Sequence, residues 1–238
     1  MAAEDIGNQL KKRHLSEAEK KTVKLKSGSI GKDGAGNLRT VAKILSEKQA
    51  RPEVLEQTLG EIWSPVHGVD CKDMGQNRFI FTFMNKKGKP RAIDEGPWLF
   101  NNRDLIVMED FAARKAIDEY EFKYIPIWVR VYGVPLGALN KEAGEMVGRM
   151  IGKVLDMDVD EEGSALTEYL RIKVRIDITK PLMRYVTIDD ESDSDEETMN
   201  ATDGEENETE VGRICDLKYE FLPVFCFNCG IIGHNERN

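Results

Sequence analysis

The sequence predicts an α+β fold: a ferredoxin-like β-α-β-β-α-β unit over 38–111, a second small α/β unit over 124–188, and the start of a zinc knuckle at the C-terminal end. Three observations predict it. Short runs that alternate apolar and polar side chains recur along the chain, as half-buried strands require. Two stretches between such runs carry apolar residues at helical spacing. Near the end, Cys226, Cys229 and His234 stand at metal-ligand spacing.

The chain has 238 residues, enough for one large domain or two small ones. Hydrophobic residues make up 40% and charged residues 32%, which places it among globular chains with very polar segments. No apolar run approaches the roughly 18 residues of a membrane span, and the N-terminus lacks the apolar centre of a secretory signal. An intracellular location, nucleus or cytoplasm, is therefore expected, with no membrane partner. The net charge of −9 is unevenly spread. Segment 189–210, DDESDSDEETMNATDGEENETE, holds twelve acids and no base; the rest has 34 bases against 31 acids.

In chain order, residues 1–37 are polar and read as a flexible basic arm, either solvated or in contact with phosphates. LRTVAKIL reads as a strand. RPEVLEQTLGEIW sets Val54, Leu55, Thr58, Leu59, Ile62 and Trp63 on one helical stripe, with Pro52 in the first turn. VHGVDCKDMG and NRFIFTFM read as two strands joined by a turn around Gly75–Asn77. KKGKPRAIDEG is a weak helix that stops at Gly96-Pro97, and RDLIVMEDF closes the unit as a strand. In RFIFTF, Phe79, Phe81 and Phe83 share a face and are expected in the core.

A charged link, AARKAIDEYEFK, precedes the second unit. That unit opens with the strand YIPIWVRVYGVP and continues with the helix LNKEAGEMVGRMIG, whose stripe is Leu139, Ala143, Met146, Val147, Met150 and Ile151. Glu145 and Arg149 stand at i,i+4. KVLDMDVD, EYLRIKVRIDIT and LMRYVTID read as strands. The acidic segment 189–210 cannot bury enough apolar area to fold and reads as a disordered loop. One more strand, GRICDLKYEFLP, begins the last segment, 211–238. Beyond a loose echo between the two α/β halves, no internal repeat is evident.

Two groups of residues could carry a function. Cys226 and Cys229 can bend onto one ion with His234, and Gly230 and Gly233 occupy places where a tight knuckle needs permissive backbone. The pattern C-x2-C-x4-H-x4-C puts the fourth ligand at position 239, one past the last residue, so the knuckle reads as cut short. Two free thiols and a surface histidine are the alternative. Phe227 is placed to stack on an unpaired base. In the second unit, Trp128, Arg130 and Tyr132 share one face of their strand, and Arg171, Lys173 and Arg175 share one face of theirs. If both faces lie on one side of a sheet, rings and cations interleave there as single-stranded nucleic acid requires. The other reading packs the rings under a neighbouring segment and leaves the cations as a solvated face. His14, His67 and His234 are scattered, and no nucleophile motif, phosphate-cradling loop or paired-carboxylate motif is present, so no enzyme activity is expected.

Several stretches together resemble a plant retrotransposon-related family whose members carry a domain of unknown function followed by a CCHC zinc knuckle. The resemblance runs from about Leu15 to the end. GPW at 96–98, PIWVRVYGVP at 126–135 and YEFLPVFCFNCGIIGH at 219–234 are its most specific elements. The family is similar to the first open reading frame of LINE-type elements and to gag-like proteins. The resemblance implies nucleic-acid binding, with Zn²⁺ held by Cys226, Cys229, His234 and a final cysteine that this sequence lacks. The expected partner is RNA or single-stranded DNA, with no small-molecule substrate and with self-association left open. The rival readings are a protein-interaction adaptor and a subunit of an enzyme whose catalytic part lies elsewhere.

Overall fold

The computed structural model describes residues 21–25, 38–189 and 212–234. Most of the basic arm and all of the acidic segment after Asp189 lie outside the described residues.

The first half runs β1 (Arg39–Leu45), α1 (Pro52–Trp63), β2 (Val69–Asp73), β3 (Arg78–Phe83), α2 (Gly88–Asp94), β4 (Trp98–Phe100) and β5 (Asp104–Asp110). The sheet order is β2-β3-β1-β5-β4, with every pair antiparallel. Without β4 this is the ferredoxin-like order that the sequence predicts. The three-residue β4 was not anticipated: Trp98–Phe100 is too short to show a period of two. Pro52 opens α1, where its missing N–H would have no intrahelical partner. Phe79, Phe81 and Phe83 are buried with Ala42, Ile44, Leu55, Leu59 and Trp63, which makes them core residues as expected.

The second half runs β6 (Tyr124–Tyr132), α3 (Lys141–Ile151), β7 (Lys153–Met157), β8 (Leu170–Asp177), β9 (Tyr185–Ile188) and β10 (Arg213–Tyr219). Its order is β7-β8-β6-β10-β9. Lowering each strand number by five reproduces the order of the first sheet. What the sequence shows only as a loose echo is therefore a full repeat of strand order. Strand identity there depends on which side chains are buried, which two diverged sequences can satisfy with different residues. The repeat departs at one place: residues 178–184, between β8 and β9, form no helix to match α2.

That omission fits how the halves pack. The first sheet buries one face under α1 and α2. Val41, Leu105 and Val107, on its other face, share a single core with Ile125, Ile127, Val129 and Val131 of β6 and Leu170, Ile172 and Val174 of β8. The connecting segment adds Tyr120 and Phe122, both buried, although its charge reads as an exposed link. The Glu109 carboxylate accepts the Phe122 N–H at 2.6 Å, and the Ala112 N–H donates to the Tyr120 hydroxyl at 2.8 Å.

The stripe expected on α3 needs correction. Its buried residues are Gly144, Val147 and Gly148, whereas Met146 and Met150 are exposed. The glycines let the helix backbone approach β7 and β8 closely: a Cβ on Gly148 would stand 2.6 Å from Val154 Cγ2. Apolar spacing marks large side chains, while this contact is made by absent ones. The Glu145–Arg149 pair does form, at 2.9 Å. Among the described residues no helix is long and apolar enough to cross a membrane.

Candidate metal centre and nucleic-acid face

After β10 the Glu220 N–H still donates to the Trp128 carbonyl at 2.8 Å. Phe221, at φ 51°, then turns the chain away from the sheet. A tight loop follows. Cys226 N–H donates to Ile231 O at 3.0 Å, Gly230 N–H to Cys226 O at 2.7 Å, and Gly233 N–H to Val224 O at 2.8 Å. Gly230 and Gly233 have φ of 73° and 99°, a backbone region that side chains disfavour. The loop brings the ligand atoms of Cys226, Cys229 and His234 within 4.8 Å of one another, with Cys229 Sγ 3.3 Å from His234 Nε2.

Two sulfurs and an imidazole nitrogen form the borderline donor set that Zn²⁺ prefers. Zn–S and Zn–N bonds of about 2.0–2.3 Å require donors at about this mutual spacing, so the residues fit the ion. No fourth ligand joins the group among the described residues. Cys215 is buried in β10 outside the group, where burial raises its thiol pKa.

The loop is seated on the body. Ile232 enters the core between the sheets, and the Leu182 N–H donates to Gly230 O at 2.9 Å. Gly233 lies against Leu45. Phe227 is 78% exposed, with Phe225 behind it at a ring separation of 4.5 Å.

The second group is also brought together. β6 and β8 pair with Trp128 opposite Lys173 and Arg130 opposite Arg171, so the two alternating faces do lie on one side of the sheet. Lys218 on β10 joins them opposite Arg130. Rings and cations interleave: Arg171 lies 4.1 Å and Lys173 5.3 Å from the Trp128 ring, Lys218 lies 4.4 Å from Tyr132, and Arg130 lies 5.2 Å from Tyr169.

Acids that the sequence pattern does not single out face these cations. Glu220 accepts from Arg171 through both carboxylate oxygens, at 2.9 and 2.8 Å, and from Arg130 Nε at 2.5 Å. These hydrogen bonds, Arg171 first, hold the Glu220 pKa down at about 2. Asp158 takes the remaining side of Arg171 at 3.1 Å, and Asp94, at the end of α2, pairs with Arg175 at 2.9 Å. Glu220 continues the alternation of Asp216 and Lys218, a signal present in the sequence. Its meaning depends on a β10–β6 pairing that bridges the acidic segment.

A family model described as a domain of unknown function (DUF4283) matches residues 40–109, which run from β1 into β5. A zinc-knuckle model matches residues 210–238. No curated protein matches. Among solved structures, the NONO-1 homodimer of C. elegans shares 16% identity over 59% of this chain and 50% of that one, at a TM-score of 0.23. The first two RRM domains of yeast poly(U)-binding protein Pub1 share 11% identity over 76% and 98%, at 0.22. The chain thus spans half the length of the NONO-1 chain, and likeness at these TM-scores says nothing about function. What this chain carries is a domain of unknown function (DUF4283) followed by a CCHC-type zinc knuckle.

Proposed function

We propose that the protein binds RNA or single-stranded DNA without catalysing a reaction on it, through a knuckle whose Zn²⁺ is held by Cys226, Cys229 and His234. The observation that carries this is the gathering of three zinc donors within 4.8 Å beside an exposed phenylalanine. With zinc bound, Cys226, Cys229 and His234 would be pinned to one point, and the short loop would present Phe227 to a base with little entropy left to lose. The open face of the second sheet extends the surface. There Trp128 and Tyr132 offer stacking, and Lys173 and Lys218 offer phosphate contacts. Arg130, Arg171 and Arg175 contribute less, because each already holds a carboxylate. The centre of the helix-free face of the first sheet is buried against the second sheet.

The resemblance and the domain order support a finer reading, that of a retrotransposon-derived, LINE-type or gag-like plant protein acting in the nucleus or cytoplasm. One observation favours the adaptor reading instead: the ion-paired cations of the second sheet suit a neutral partner as well as phosphates.

Fluorescence anisotropy with single-stranded RNA separates the two. Phe227→Ala should weaken binding by about 5- to 150-fold, the value of one stacked base, without lowering the melting temperature. No binding by the zinc-loaded parent favours the adaptor; undiminished binding by the variant removes Phe227 from the contact and leaves the sheet face to carry it.

A further inference from the structure

A groove of about 790 Å³ separates the knuckle from the loop end of the first sheet. We propose that it is a second contact for the same single strand, taking the sugar-phosphate backbone where it leaves the knuckle. This rests on the function proposed above and adds a path for the ligand.

Continuity comes first. Gly233 and His234 of the knuckle, with Pro223 and Val224 just before it, form one wall, so the groove is continuous with the metal-holding loop that carries Phe227. The opposite wall comes from the β1–α1 loop and the β2–β3 and β4–β5 hairpins. It is firmly built: Asn77 is buried, its Nδ2 donates to Ser46 O at 3.1 Å and Lys48 O at 2.9 Å, and its Oδ1 accepts the Ala50 N–H at 2.8 Å. Asn77 thus ties the β1–α1 loop to the β2–β3 hairpin and fixes the shape of that wall.

The lining chemistry suits a polynucleotide. Lys43, Lys48 and Arg103 supply cations, and Gln49 and Asn101 supply amides that can donate to phosphate or base edges. The acids in the lining are Glu47 and Asp104; Asp104 stands 3.9 Å from the exposed Arg103, a longer separation than the 2.5–2.9 Å pairs of the second sheet, so this guanidinium keeps more of its capacity for phosphate. The volume falls within the roughly 300–1,000 Å³ of ordinary ligand sites, room for about two nucleotides.

The test compares zinc-loaded full-length protein with the triple variant Lys43→Ala/Lys48→Ala/Arg103→Ala. Both are titrated with oligouridylates of about four and about eight nucleotides, near the lower end of single-strand site sizes. The shorter should bind both proteins alike. The longer should bind the variant about tenfold more weakly, with a salt slope shallower by about two, at about 0.7 per lost phosphate contact. Lys48→Glu, at an exposed position, serves as a second variant and should show the same length-selective loss. If the parent binds both lengths equally, or the variants keep full affinity for the longer, the groove is overturned while the knuckle reading stands. If the parent binds neither, both fall. A loss on the shorter oligomer equal to that on the longer also overturns the groove as a separate contact.

Discussion

At Glu220 a single carboxylate serves two guanidiniums over a tryptophan ring, close to where a phosphate would sit on the open sheet. Replacing it with glutamine keeps the shape and removes the charge. Glu220→Gln should cost about 1.5–3 kcal/mol of stability, the usual value of a charge-assisted hydrogen bond. It should also steepen the salt dependence of RNA binding by about 1.4 as Arg130 and Arg171 become available. The pH dependence follows from the depressed pKa. The carboxylate is ionised in the fold down to about pH 2, against an ordinary value of 4.5. Its contribution is therefore fully present above about pH 4.5 and is lost as the pH falls toward 2. Thermal unfolding across that window should show a component in the parent that the glutamine variant lacks. Residue types were legible in the sequence: the three zinc donors, Phe227 and the alternation of Trp128, Arg130 and Tyr132 stand where they were expected. Their partners were not legible, since Glu220 meets Arg171 across 49 positions and a register that no local pattern encodes.

Among the elements, α3 shows what periodicity cannot convey. Its contact with the second sheet is made at two glycines, so the methionines beside them mark the exposed side. The two glycines should respond differently to alanine. At Gly148 the new Cβ would meet Val154 Cγ2 at 2.6 Å and Ile172 Cγ2 at 3.1 Å, both on stiff β-branched side chains. The substitution should cost about 1–3 kcal/mol as overpacking. At Gly144 the nearest atom is the terminal methyl of Met157, which can swing away. The gain in helix propensity, about 1 kcal/mol, should then leave that variant close to the parent. Chemical denaturation of the pair decides this; equal losses would contradict the packing described. The helix was legible from its apolar spacing and from the Glu145–Arg149 pair, which forms; its cap, where Asn140 accepts the Ala143 N–H at 3.0 Å, was an equally local signal that went unread. β4 and the buried aromatics of the connecting segment were hidden, one by shortness and the other by flanking charge.

For the molecule as a whole, the second sheet repeats the first without its second helix, and the first sheet's free face shares a core with it. Ile232 reaches the same core from the knuckle, so a metal held there would also stabilise the body. Chelation should therefore lower the melting temperature of the entire protein, by an amount worth about 2.7 kcal/mol if free zinc stood at a hundred times its dissociation constant. A knuckle on a tether would melt without that effect. The order of strands and helices could be traced along the chain; the packing of one sheet's face against the other could not, because no local period records it. A metal-pinned knuckle on this two-sheet body is proposed to hold unpaired polynucleotide. The decisive measurement is a salt titration of single-stranded RNA binding, run with zinc and again after chelation. The expected result is affinity that falls linearly in log–log form with salt and collapses when the metal is removed. Binding that ignores both salt and chelation, or is absent with zinc present at low salt, would contradict it.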